Sequence, residues 1–128
     1  MLRKLTDHKV AGLNADLEVY AVDEPGQGNA SHVYDIASDL NPGTDAGGTH
    51  SLCRISFQNG PVSESGINGV TQETLLTVLI DRLRGFQSGA FACRENAIAL
   101  TDLEEALMWL QKRTRDRLAR GIEGTSQK

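Results

Sequence analysis

None of the chain's thirteen glycines falls between Arg94 and Arg120, and eleven of them lie at or before Gly89. Glycine is the costliest ordinary residue in a helix interior and the natural residue of turns. The two parts of the chain therefore obey different rules, and the C-terminal part is committed to a long helix. At 128 residues there is room for one domain, or for a small sheet plus a helical unit, but not for two independent cores. The expected organisation is a sheet region over 1–70, a helical hairpin over 71–121 and a flexible tail over 122–128, forming one structural unit.

In the glycine-rich part, DLEVYAVD (Asp16 to Asp23) and HVYDIAS (His32 to Ser38) flank the turn-rich EPGQGNAS, the pattern of a β-hairpin with a long loop. In SLCRISFQN, Cys53, Ile55 and Phe57 alternate with Arg54, Ser56 and Gln58, which predicts a third strand with one buried face. NPGTDAGGTH (Asn41 to His50) reads as a loop whose glycines permit motion over a ligand. These three strands make a small antiparallel sheet.

After the turn chemistry of NGPVSESGINGV the period changes to that of a helix. Thr71 is placed to cap a helix in which Leu75, Leu76, Leu79, Leu83 and Phe86 recur. Gly85 and Gly89 are expected to end it near Gln87. A second helix is predicted from Arg94 to Arg120, with Gly121 as its stop. The arms of this hairpin would be about 25 and 40 Å long. Ala97, Ile98, Ala99, Leu100, Leu103, Ala106, Leu107, Met108, Trp109 and Leu110 cover most of the second helix's circumference. An ordinary surface helix buries one stripe, so this width implies a second copy, or the small sheet, on its other side. The fold class is α+β and oligomeric.

Charge narrows the function classes. The net charge is −4, against a general nucleic-acid binder, which needs a basic footprint to displace counterions. Yet Lys112, Arg113, Arg115, Arg117 and Arg120 concentrate five of the thirteen basic residues at one helix end, opposed by Asp116. A target for this cluster would be small, local and anionic. Lysine and arginine in the last turns also offset the helix dipole and maintain solubility. Arg113 and Arg117, one turn apart, have the spacing of a fork for a phosphate or pyrophosphate. RNA, DNA or an acidic protein patch are further partners for the same cluster.

Other motifs are sparse. The N-terminus has no apolar run and no stretch approaches a membrane span, which is the pattern of a cytosolic chain. Cys53 and Cys93 lack metal-ligand spacing and are expected as reduced thiols, so the Asn29-Ala30-Ser31 sequon carries little meaning. His8, His32 and His50 are scattered and read as solvated or structural. Adjacent Glu104 and Glu105 point about 100° apart and form no acid/base pair. With no nucleophile and base pairing, phosphate loop or metal set, the chain is not expected to be an enzyme, and no cofactor or metal is implied. Phe86 fits a core position, although a ring just before the QSGAFA connection has a face to offer a base. Asn96, in CRENA, suits a local hydrogen bond or a ligand contact, and Asn68 a turn.

The runs FQNGPVSESGINGVTQETLLTVLIDRL and GFQSGAFACRENAIALTDLEEALMWLQKRTRDRLARGIEGT, from about Phe57 to Thr125, resemble a phage family of Thoeris anti-defence sponges, the first-described type, whose helical hairpin is shared with sponges acting against CBASS immunity. The resemblance implies a non-catalytic protein in the host bacterial cytoplasm. It would sequester cyclic ADP-ribose isomers, glycocyclic ADP-ribose among them, without cleaving them. It makes Phe86 the base-stacking ring, Asn96 a polar contact and Arg113 with Arg117 the pyrophosphate clamp, with Arg54 a candidate from the sheet. Homodimers assembling into hexamers, a trimer of dimers, with separate cyclic trinucleotide pockets at Arg94 and Thr101, are also implied. Asp102 departs from the family pattern by placing a negative charge beside those pockets.

Geometry bears on this carry-over. Asn96 and Arg117 are 21 residues apart on one predicted helix, hence separated by about 31 Å. No ligand of this size spans that distance, so both would bind one molecule only from different chains, with antiparallel second helices crossing at a dimer interface. The rival readings are a nucleic-acid-binding phage protein, a structural oligomeriser whose arginines only cap a helix, and an enzyme that cleaves the signal.

Overall fold

The computed structural model describes residues 2–38 and 50–125. Two compact units divide between Asn59 and Gly60. That boundary lies earlier in the chain than the expected one at residue 70, because residues 60–66 belong with the hairpin: the Ser63 N–H donates to the Gly124 carbonyl at 3.0 Å.

The N-terminal unit is an antiparallel sheet of β1 (Arg3–Leu5), β2 (Leu17–Ala21), β3 (Val33–Ser38) and β4 (His50–Ser56), in that spatial order. A one-turn helix, α1 (Leu13–Asp16), leads into β2. Strand β1 was not expected; three residues, RKL, are too short to show a period. The predicted hairpin is present as β2–β3, with Val19 opposite Ile36 and Ala21 opposite Tyr34. Tyr34 in turn faces Ile55 of β4, and a bulge falls between Ile36 and Ala37. This register gathers Leu5, Val19, Ala21, Tyr34, Ile36, Cys53 and Ile55 on one face and Lys4, Glu18, Tyr20, Asp35 and Arg54 on the other.

The face predicted to be buried in the third strand is only partly covered: Ile55 and Phe57 are half-buried, but Cys53 is exposed. Among the described residues of the sheet, Ala21 and Ala37 are the fully buried apolar ones. Both cysteines are free thiols. His32 is buried beside Asp23, and a His8 ring nitrogen is 2.7 Å from the Leu17 carbonyl, so these two histidines are structural. The Asp23 carboxylate accepts from the backbone N–H groups of Val33 and His32, each at 3.0 Å. Led by the Val33 contact, these bonds hold its pKa below the usual carboxylate range. On the polar face, hydrogen bonding to Lys9 and then Lys4 lowers Glu18 likewise. The loop expected over Asn41 to His50 lies outside the described residues, apart from His50 at the start of β4.

The C-terminal unit begins with a short helix, α2 (Val62–Ser65), where only turns were expected. Gly60 sits at φ +88°, where any other residue is strained, and a Cβ there would lie 2.5 Å from the Ser65 hydroxyl, which would have to turn away. Helices α3 (Gln72–Gln87) and α4 (Arg94–Ala119) form the predicted hairpin. Thr71 caps α3, its hydroxyl accepting from the Thr74 N–H while Thr74 reciprocates. Gly85, expected at the helix end, lies inside α3, which closes instead through the Ser88 N–H bonded to Arg84 and Gly85. Cys93 caps α4, its Sγ accepting from the Asn96 N–H at 3.4 Å.

The hairpin is antiparallel, with Arg84 paired to Glu104 at 2.7 Å, and Thr77, Arg84, Glu104, Leu107 and Gln111 line one groove between the helices. Two helices cannot enclose a core, and Ile80 is the buried apolar residue of this unit among the described residues. Val78, Leu79, Ile98, Met108, Trp109 and Leu118 are all exposed. No helix of the described residues is long and apolar enough to cross a membrane.

Candidate functional site

A helix repeats its faces every 3.6 residues, so positions i, i+3, i+4, i+7 and i+11 share one side. On α4 those positions are Trp109, Lys112, Arg113, Asp116 and Arg120, and together with Arg117 they line a cleft of about 560 Å3. That volume is in the range of small-molecule sites. Four of its six lining side chains are cations, a lining whose charge suits an anion.

The four cations are not equivalent. Lys112 and Asp116 form an i, i+4 pair at 2.8 Å with both side chains more than half exposed. Such a pair contributes little and yields readily to a ligand. Arg113 and Arg120 are exposed, and no ion pair among the described residues engages them. Arg117, by contrast, is 6% exposed. Its Nε donates to the Glu123 carboxylate at 2.7 Å, and an Nη to the carbonyls of Ile122 and Thr125 at 3.0 and 2.9 Å.

The end of α4 explains this difference. Arg120 is the last residue near helical geometry and Gly121 follows at φ +72°. The Ile122 N–H returns to the Arg117 carbonyl and the Gly121 N–H to that of Leu118, the paired bonds of a Schellman cap. Glycine suits the left-handed position. The cap folds residues 122–125 back along the last turn, which brings Glu123 to Arg117. The segment expected as part of a flexible tail is therefore tied down as far as Thr125.

Arg113 and Arg117 do lie at one end of one helix, as expected, but only Arg113 presents an unengaged guanidinium. Phe86 and Asn96 lie at the other end. The Phe86 ring is half-buried, edge-on to Phe91 with centroids 6.1 Å apart, and the Arg82 guanidinium sits 5.0 Å above it. Asn96 is half-exposed in the first turn of α4. Because α4 is one unbroken helix, Asn96 and Arg117 of one chain are about 31 Å apart, and the structure does not bring them together. Arg54 belongs to the N-terminal unit, where it faces Asp35 at 3.7 Å. Arg94, Thr101 and Asp102 are exposed near the start of α4, the Thr101 hydroxyl donating to the Ala97 carbonyl.

Sequence reasoning missed four lining residues. Lys112, Asp116 and Arg120 were counted only as charge, and Trp109 only as apolar surface. Their helical spacing from Arg113 was the available signal. The grip of Glu123 on Arg117 had none, because it depends on the turn at Gly121. Among the described residues no group of histidine, cysteine or acidic side chains has the arrangement of a metal site.

Comparison with known proteins agrees with this architecture. The chain is 57% identical over 77 residues to a Bacillus phage SBSphiJ7 protein named Thoeris anti-defense 1, covering 60% of this chain and 54% of that relative. It thus spans just over half the length of the curated relative it matches. Residues 49–115, which include all of α3 and most of α4, match the Acb2/Tad1 hairpin domain. That match takes in more than half of the sequence, and the chain belongs to the Acb2/Tad1 hairpin domain family.

Proposed function

We propose that this chain is a phage anti-Thoeris sponge that binds cyclic ADP-ribose isomers and withholds them, intact, from the host's effector. The observation that carries the reading is the cationic cleft at the end of α4, in a chain with 57% identity to a protein named for Thoeris anti-defence. Arg113 and Arg117 hold the pyrophosphate by charge-assisted hydrogen bonds, Phe86 stacks on the base and Asn96 supplies a polar contact. Arg117 enters by exchanging the Glu123 carboxylate for a phosphate oxygen, one anionic acceptor for another. Site of action is the host cytoplasm, where the signal is made and read.

A complete site needs two copies. The 31 Å between the two groups on α4 is closed when α4 helices from two chains cross antiparallel, so that the first turns of one meet the basic end of the other. The exposed Ile98, Met108 and Leu118 of α4 and Val78 and Leu79 of α3 supply apolar surface for such contacts, each buried large side chain being worth about 1.5–3 kcal/mol. Dimers of this kind stack further into hexamers, and cyclic oligonucleotides of CBASS signalling occupy separate pockets near Arg94 and Thr101.

The test is recovery of the ligand. The purified protein is incubated with Thoeris-derived signal, freed of unbound nucleotide, heat-denatured, and the released material identified by mass spectrometry. Release of the unaltered cyclic ADP-ribose isomer is expected. A linear product would mean catalysis, and release of nothing from folded protein would leave a structural role.

A further inference from the structure

We propose that Trp109 is a base-stacking platform of the basic cleft, so that α4 itself reads the purine of the ligand as well as its phosphates; this deepens the sponge reading and rests on it. An indole is the largest aromatic surface a chain can offer, and Trp109 is 58% exposed. It lines the same cleft as Lys112, Arg113 and Arg120. Position i+3 and i+4 cations lie one helical turn further along the helix, about 5 Å away, and Arg120 about three turns, roughly 16 Å. A ring at one end of a row of guanidinium groups is the order in which a nucleotide presents base and phosphates.

The cleft also holds a carboxylate. Asp116 would oppose a bare phosphate, but it is paired with Lys112 at 2.8 Å and its acceptor oxygens suit the hydroxyls of a ribose. Ring, carboxylate and cations together match a nucleoside phosphate better than an inorganic anion. Phe86 does not compete for this role, because a purine has two faces and each ring takes one.

Trp109 is the chain's single tryptophan, so its fluorescence reports this site alone. Full-length protein is titrated with a cyclic ADP-ribose isomer and, separately, with inorganic pyrophosphate, while calorimetry measures binding independently. Saturable quenching by the nucleotide but not by pyrophosphate is expected. Trp109→Phe should bind within a few-fold of wild type, and Trp109→Leu should lose roughly tenfold to hundredfold at unchanged oligomer mass. Equal quenching by pyrophosphate, wild-type affinity in Trp109→Leu, or dissociation of the Trp109→Leu oligomer would overturn the assignment, the last by making Trp109 a contact between copies. Calorimetric binding with unmoved fluorescence would overturn the Trp109 assignment and leave the sponge intact. No calorimetric binding of the nucleotide would overturn both.

Discussion

In the proposed sponge, the two ends of the helical hairpin solve different halves of one recognition problem. At the tip, Phe86 is stacked edge-on against Phe91 under Arg82, and Asn96 stands in the first turn of α4. That end offers π-surface and an amide, the vocabulary of a base and sugar. At the other end Lys112, Arg113, Arg117 and Arg120 crowd one cleft, the vocabulary of phosphate. A rigid helix of 26 residues holds the two about 30 Å apart. The lesson is that a straight helix can carry both halves of a site and still be unable to form one: in the proposed sponge, a second copy makes the site.

The basic end should be the more sensitive of the two. Arg113→Ala should weaken binding of the cyclic ADP-ribose isomer by about 1.5–3 kcal/mol, roughly tenfold to hundredfold or more, in a calorimetric titration. The mass of the assembly should not change. At the tip, Phe86→Ala should cost a similar or smaller amount, about 1–3 kcal/mol, because its ring also packs on Phe91. If both variants bind as wild type does, neither end holds ligand.

Smaller effects sharpen the picture. Gly121→Ala places a side chain at φ +72° and should cost about 1–2 kcal/mol of stability, read in denaturant unfolding. It should also loosen the turn that delivers Glu123 to Arg117. Glu123→Gln keeps a hydrogen-bond acceptor for Arg117 while removing the charge that a phosphate must displace, so affinity should rise by a few-fold; a fall would show that Glu123 orients Arg117 for binding.

The smallest effect lies in the sheet unit. Asp23 has a lowered pKa in the folded state, so the stability it contributes is complete above the unfolded value near pH 4 and is lost as pH falls through the folded value. Asp23→Asn should flatten that acid dependence in a melting series and leave ligand affinity at pH 7 untouched.

Much of this organisation was legible in the residues. The glycine-free run from Arg94 to Arg120 and the cap at Thr71 place both long helices almost to the residue, because caps and helix breakers act locally. Strand β1 was not legible, since its pairing with β2, and not any pattern in RKL, makes it a strand. In the candidate site, Arg113 and Arg117 read as equals by spacing. They differ because the Schellman turn after Ala119 returns the chain onto Arg117 alone, a contact whose six-residue spacing fits no regular helical pairing. For Trp109 apolar periodicity describes the surface well enough, and only the cleft shows which side chains share it.

The most direct measurement of the proposed two-copy site is complementation. Asn96→Ala and Arg113→Ala chains, each deficient in binding the cyclic ADP-ribose isomer, are unfolded together in equal amounts, refolded and titrated. In a twofold dimer whose sites each take Asn96 from one chain and Arg113 from its partner, half of the dimers are mixed and each mixed dimer regains one intact site. Tight binding should therefore return at about a quarter of the sites. Mixed dimers that form, as shown by mass, yet recover no tight sites would contradict the account.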